Sequence, residues 1–441
     1  MKPRGDLPPG PYLVVGLARS GIAAALALHA RGEQVLGVDS GVPEDLQELS
    51  EAGVELHLGS DGLALLERVR TLVKSPGVPG EAPVIAQARS RGICTIGELE
   101  LAWRMLANEF IAVTGTNGKT TTVELIGHIH REAGLPVAVA GNVGVALSGL
   151  VGRLDERAIV VCETSSFQLE DTLAFAPEAA VLLNLTPDHL DRHGTLDAYR
   201  AAKLEIFARQ DSDDLAVAPL AFAPERLPGA ARRVSFGSGS EAQLTERDGT
   251  LYWEGLPLLA ASELSLRGAH NLRNAMAAAA VCLARGLDPD SVRAGLRSFA
   301  GVAHRLEEVA DRDGVLFVND SKATNVASML VALDSFAAGS IHLILGGQGK
   351  GQDFSQLRGP VESACRVVYL IGEDTPAIAA ALQRASMPVL DCGDLERAVV
   401  EAAGAARGGE VVLLSPACAS FDQFADFEAR GERFRALVAR L

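Results

Sequence analysis

The sequence predicts an α/β chain of three consecutive units, each built on a mostly parallel sheet. Short apolar runs that end in polar residues recur along the 441 residues, and helical stretches separate them. That alternation starts afresh near residue 108 and again near 301, which divides the chain into 1–107, 108–301 and 302–441. Apolar residues make up 48% of the chain, enough to give each unit its own core. Ligands of open α/β sheets sit at the carboxyl ends of the strands, so the polar strand ends are where function is sought.

The first unit opens at Tyr12 with "YLVVGLARSGIAAALALHARGEQVLGVDS": an apolar strand, a glycine turn, an alanine-rich helix and a second strand ending at Asp39. This is a Rossmann-like opening. Gly16, Gly21 and Asp39 are elements of a dinucleotide fingerprint, but Ala18 stands where that fingerprint has a glycine, so the case for NAD is incomplete. Another strand ends at Lys74 and runs into the turn Ser75-Pro76-Gly77, and a helix from Ile96 to Ala107 closes the unit.

The second unit begins with a strand at Phe110–Val113 and the loop "GTNGKTT". A phosphate loop usually reads G-x-x-x-x-G-K-[ST]; here Val113 occupies the first glycine position, leaving Gly115 and Gly118 ahead of Lys119. The physical essentials remain: a strand, glycines where backbone must approach phosphate, a cation, and hydroxyls at Thr120 and Thr121 opening a helix. Lys119 is expected at the β- and γ-phosphates and Thr120 at Mg²⁺. The alternative is a glycine-rich helix start with a surface lysine.

Strands at Val137–Ala140, Ile159–Glu163 and Ala180–Asn184 follow. Glu163 ends one of them and His189 lies just past another, and a carboxylate with an imidazole at neighbouring strand ends suits Mg²⁺ or its water. His189 and His193, four residues apart, leave zinc as an alternative that has no third ligand cluster. Lys203, in "AYRAAKLEIF", reads by itself as a helix lysine whose stem lies along apolar surface. "ERDGTLYWEGLPLL" predicts a hairpin turning at Asp248-Gly249, and "GAHNLRNAMAAAAVCLARGL" a helix stopped by Gly286. The third unit carries strands at Val315–Asn319, Ile341–Leu345, Val367–Ile371 and Val411–Leu414.

A net charge of −16, with basic clusters no longer than pairs such as Arg232-Arg233, excludes a nucleic-acid partner. Cysteines at 94, 162, 282, 365, 392 and 418 form no C-x-x-C pair, which points to buried thiols in a reducing compartment. The longest apolar run, "AMAAAAVCLA", is too short to span a bilayer, so a cytoplasmic protein without a membrane partner is expected.

Taken together, "VTGTNGKTT", "ETSSFQLE", "NLTPDHLDRHG", "YRAAK", "HNLRNAMAA", "HRLE", "NDSKATN" and "SPACASFDQF" resemble the Mur ligases, in order and across all three units. The shortened loop is normal in that family. The resemblance is strongest to its D-glutamate-adding branch. It implies ATP-dependent amide formation between UDP-N-acetylmuramoyl-L-alanine and D-glutamate, through an acyl phosphate, by a chain expected to be a monomer.

Carried over position by position, the resemblance implies an ATP site at Gly115, Thr116, Asn117, Gly118, Lys119, Thr120 and Thr121, with Asn274 by the adenine and Arg305 and Asp320 reaching phosphate and ribose. Thr120, Glu163, His189 and Lys203 would hold two Mg²⁺ ions, Lys203 as a CO₂-derived carbamate. Asn142 would lie near the acyl end of the substrate, with Ser165 and Gln168. The uridine nucleotide would meet the backbone of Arg19 and Ser20, then Asp39, Ser40, Ser75, Pro76 and Gly77. Lys322, Thr324, Lys350, Ser420 and Phe427 would form the D-glutamate site, where a lysine suits a dianionic substrate. Two other readings stay open: a folylpolyglutamate synthase-like ligase, and a P-loop switch that hydrolyses nucleotide without ligation.

Overall fold

A computed structural model describes residues 2, 4–43, 46–142, 144–188, 190–222, 224–266, 268–349 and 351–441. It contains three sheets in two compact units, one formed by 1–264 with 270–299 and the other by 265–269 with 300–441. The first unit holds two of the sheets. Its five-stranded sheet is wholly parallel, in the order Glu55–Leu58, Val35–Asp39, Tyr12–Val15, Thr71–Lys74, Cys94–Gly97. The order reverses beside Tyr12–Val15, and such a reversal opens a crevice at the carboxyl ends of the strands. Gly21, on the helix Arg19–Ala30 that follows, is required by packing: a Cβ there would lie 1.9 Å from the Gly16 carbonyl oxygen.

The expected helix from Ile96 begins instead as a strand. Ile96 and Gly97 pair with Val73 and Lys74 in the parallel ladder, and the helix runs only over Glu98–Met105. Local sequence could not reveal this, because the pairing partner lies more than twenty residues upstream.

The nine-stranded sheet has a parallel core in the order Arg232–Gly237, Leu215–Pro219, Ala179–Leu182, Phe110–Thr114, Ile159–Glu163, Val137–Gly141. The predicted hairpin extends it: Leu244–Arg247 and Thr250–Trp253 pair antiparallel, and Asp248 and Gly249 both take positive φ, as a two-residue turn matching strand twist demands. The helix Ala269–Ala284 is followed by Gly286 at φ 89°. Phe110, Trp103 and Phe175 pack edge to face in the core beneath this sheet.

The second compact unit carries six strands in the order Glu307–Arg312, Val315–Asn319, Val411–Leu414, Ile341–Gly346, Cys365–Ile371, Val389–Gly393. All neighbours are parallel except the charged edge strand Glu307–Arg312, which runs antiparallel. All six cysteines are free thiols. No helix among the described residues is long and apolar enough to cross a membrane.

Candidate active site

The strand Phe110–Thr114 delivers the loop Gly115–Gly118 to the amino end of the helix Lys119–Glu132. Gly118 sits in the left-handed region at φ 85°, and a Cβ there would come within 2.2 Å of the Asn274 Oδ1. Glycine is thus doubly required, and Asn274 stands against the loop. Asn184, which the sequence reading passed over, shapes the loop further. Its Oδ1 accepts from the amides of Thr116 and Asn117 at 3.1 and 2.9 Å, and its Nδ2 donates to the Asn117 carbonyl at 2.9 Å. The signal for it was its position just after an apolar strand.

Two lysines converge on this loop. Lys119 Nζ donates to the carbonyls of Gly115 and Thr116 at 3.0 Å, and Lys203 Nζ donates to the Gly115 carbonyl at 2.8 Å. Lys203 is 2% exposed, so its bland surface reading is overturned. Burial first, and the nearby Lys119 charge second, lower its amine to about 7, against the opposing pull of Asp188 and Glu163. A lysine that is half neutral near pH 7 is a nucleophile rather than a fixed cation.

Glu163, 3% exposed, ends the strand beside the loop. Its Oε2 accepts from the Thr120 hydroxyl at 2.8 Å and its Oε1 from the Asn142 Nδ2 at 2.9 Å. A hydroxyl from the first turn of the loop helix and a carboxylate and an amide from two neighbouring strand ends are therefore brought together. Ser165 and Gln168 form a reciprocal capping box for the helix Ser166–Leu169, a local structural role for both. Thr121 is buried in the first turn of the loop helix. His189 lies outside the described residues. His193 has Ser166 Oγ 3.0 Å from Nε2 and Glu170 Oε1 3.0 Å from Nδ1, so both ring nitrogens are engaged and the zinc alternative loses that ligand.

A cavity of about 670 Å³ opens at the strand-order reversal of the five-stranded sheet. Its lining includes Arg19, Ser20, Asp39 and Ser40, the turn Ser75-Pro76-Gly77, and Asn142 and Gln168 from the neighbouring sheet. All the candidates for the uridine nucleotide are thus brought together except Ser165. Asp39 also holds its own turn, accepting from the amides of Leu17 and Gly41 at 2.7 and 2.8 Å, while the Ser75 hydroxyl donates to the Gly16 carbonyl at 2.6 Å.

In the second compact unit, Asp320 is buried, accepting from the Ser415 hydroxyl at 2.7 Å and the Leu306 amide at 3.2 Å. Burial pushes its carboxyl up to about 7, opposed by those two hydrogen bonds and by Arg305. Lys322 Nζ lies 5.7 Å from the Phe427 ring centroid, and Thr324 is half-buried on the same loop. Ser420 is buried, and Lys350 lies outside the described residues.

Arg430, absent from the sequence reading, ties this region together. Its guanidinium, 1% exposed, donates to the Ser321 hydroxyl and carbonyl at 2.9 and 2.8 Å and to the carbonyls of Cys418 and Ala419 at 3.0 and 3.3 Å. The loop after Asn319 and the loop after Leu414 are thereby joined. Nothing local marks Arg430, which falls inside an ordinary amphipathic helix, Phe427–Val438.

The chain matches three family models: "Mur ligase MurD-like, N-terminal domain" over residues 11–97, "Mur ligase middle domain" over 113–282, and "Mur ligase, glutamate ligase domain" over 304–418. It is 43% identical to the UDP-N-acetylmuramoylalanine--D-glutamate ligase of Acidobacterium capsulatum, over 97% of this chain and 95% of that protein. With the ligase of the same name from Pelotomaculum thermopropionicum it shares 42% identity over 97% of each. Among solved structures, the UDP-N-acetylmuramate-alanine ligase of Thermotoga maritima superposes with a TM-score of 0.63 at 21% identity, covering 98% of this chain and 99% of that one. The likeness at that identity is one of fold.

Proposed function

The chain belongs to the Mur ligase family, and we propose that within it the enzyme joins D-glutamate to UDP-N-acetylmuramoyl-L-alanine with cleavage of ATP to ADP and phosphate, in peptidoglycan precursor synthesis. The observation that carries this reading is the 42–43% identity, over 97% of the chain, to ligases named for that reaction. Residues 1–107 serve the uridine nucleotide, 108–301 ATP and 302–441 D-glutamate.

The chemistry runs in two steps. An alanyl carboxylate oxygen attacks the γ-phosphorus, the bond to the β-phosphate oxygen breaks, and ADP leaves. The D-glutamate amine then attacks the acyl carbon, inorganic phosphate departs with the carbon–oxygen bonding pair, and the amine loses a proton to give the amide. The chain's own part is positioning and charge. Loop amides and Lys119 hold the phosphates of ATP, Asn274 borders the loop, and Asn142 reaches both Glu163 and the wall of the nucleotide cavity.

Thr120 and Glu163 offer adjacent hard oxygen donors, which fits Mg²⁺, with His189 and Lys203 as further ligands for a pair of ions. Mg²⁺, when bound, neutralises phosphate charge. The lowered Lys203 amine supports carbamylation: neutral R–NH₂ adds to CO₂, giving R–NH–COO⁻ and a released proton, so that a cation becomes a carboxylate-like ligand. Asp320 and Arg305 serve the nucleotide, and Lys322, Thr324, Lys350, Ser420 and Phe427 serve D-glutamate.

Phosphate release from ATP, measured with UDP-N-acetylmuramoyl-L-alanine and either D- or L-glutamate, tests the reading. Release should require the D enantiomer. A rate indifferent to D-glutamate would sink it, and product formation with a folate in place of the uridine nucleotide would favour the folate ligase instead.

A further inference from the structure

A run of stacked side chains beside the phosphate loop is unused by the chemistry above. The Arg192 guanidinium lies 4.2 Å from the Phe167 centroid, Phe167 stacks on His193 at 5.4 Å and 13°, and His193 meets Tyr199 at 5.2 Å. Lys203 Nζ lies 4.7 Å from the centroid of the same Tyr199 ring. Both ends of the run are tied to ligand-bearing walls. Arg192 donates to the Val78 carbonyl at 3.3 Å, and Val78 lines the nucleotide cavity. At the other end, the Tyr199 hydroxyl lies 3.1 Å from Thr116 Oγ1, and Lys203 reaches the Gly115 carbonyl.

His193 stands at the centre with its side chain 1% exposed. Ser166 holds one ring nitrogen and Glu170 the other, and both come from the segment that leaves the strand at Glu163. An imidazole bonded through both nitrogens has one allowed ring orientation, because a ring flip would put a carbon where each nitrogen stands. A fixed imidazole in turn fixes the aromatic rings packed on it.

We propose that His193 is a positioning residue: clamped between Ser166 and Glu170, it holds Tyr199 against Thr116 and thereby sets where the Lys203 amine and the phosphate loop stand. This rests on Lys203 being the ligase's reactive amine, and the test separates the two.

The measurements are kcat and KM from phosphate release, and the carbamate signal of Lys203 by ¹³C NMR in ¹³C-bicarbonate, for His193→Phe, Tyr199→Phe and the double variant. Phenylalanine at 193 keeps the stack and loses both hydrogen bonds. A misplaced loop should lower kcat on the order of 10–10²-fold, with KM for D-glutamate unchanged and a weaker carbamate signal. Because both residues act through one contact, the double variant should be no slower than the slower single. Losses that multiply in the double variant, or a His193→Phe enzyme with wild-type kcat, overturn the proposal. Should His193→Phe fail to fold, Glu170→Leu removes the Nδ1 partner at similar volume on a partly exposed side chain, and unchanged kcat there is equally fatal. Absence of a carbamate signal in the wild type removes the Lys203 reading, while the double-variant comparison still decides the role of His193.

Discussion

Replacing Lys203 by methionine should make the protein more stable and catalytically dead. The amine sits at about 7 in the fold, against 10.5 for an ordinary lysine. At about 1.4 kcal/mol per unit, holding this group costs about 4 kcal/mol at pH 7. Methionine fills a similar volume without charge and gives up one hydrogen bond, to the Gly115 carbonyl, worth about 1 kcal/mol. The net expectation is a gain of about 3 kcal/mol at pH 7, an upper bound because local relaxation reduces it. Between pH 7 and 10.5 the unfolded wild type binds a proton that the folded protein lacks, so wild-type stability rises with pH across that window. Methionine does not titrate. The variant's advantage should therefore be full below pH 7, shrink as pH rises, and reverse by the lost hydrogen bond above 10.5. Urea unfolding of both proteins in CO₂-free buffer at pH 7 and pH 10, where Lys203 is the free amine, beside phosphate-release assays, measures this. A Lys203→Met protein no more stable than wild type at pH 7, or a gap independent of pH, refutes the reasoning.

Three further outcomes are expected. Gly118→Ala should abolish ATP-dependent activity, since the new methyl meets Asn274 Oδ1 at 2.2 Å on a backbone at φ 85°; wild-type KM for ATP in this variant would show that the loop tolerates a side chain. Arg430→Met should destabilise residues 300–441 by several kcal/mol, at about 1–3 kcal/mol for each buried acceptor left unpaired, and raise KM for D-glutamate; unchanged melting would mean that water replaces the guanidinium. Asp320→Asn should change the pH dependence of stability. The folded wild type keeps a proton that the unfolded chain releases between about 4 and 7, so its stability falls as pH rises through that window. Melting at pH 5 and pH 8 should show a smaller drop for the asparagine variant, and parallel curves would contradict the raised carboxyl.

The elements that chain-local physics controls were legible in the sequence. The strand–glycine–helix of the phosphate loop, the strand ends at Glu163 and Asp39, the Asp248-Gly249 turn and the stop at Gly286 each rest on the periodicity or backbone freedom of a few adjacent residues. Where an element depended on a distant partner, the reading failed. Ile96 became a strand residue because Val73 was there to pair with it, and the charged edge strand Glu307–Arg312 was invisible without Val315–Asn319 beside it.

The site divides along the same line. Residue types and their spacing, with the family resemblance, nominated the side chains proposed for ATP, the uridine nucleotide and D-glutamate. Only the tertiary structure turned Lys203 from a solvated helix lysine into a buried amine poised near neutrality, because burial and the approach of Lys119 are properties of packing. The same holds for Asn184 shaping the loop, Arg430 bridging two loops of the second compact unit, and His193 clamped between Ser166 and Glu170. Sequence specifies the chemical groups and their local backbone; desolvation and hydrogen-bond partners arise only when segments distant along the chain are folded against one another.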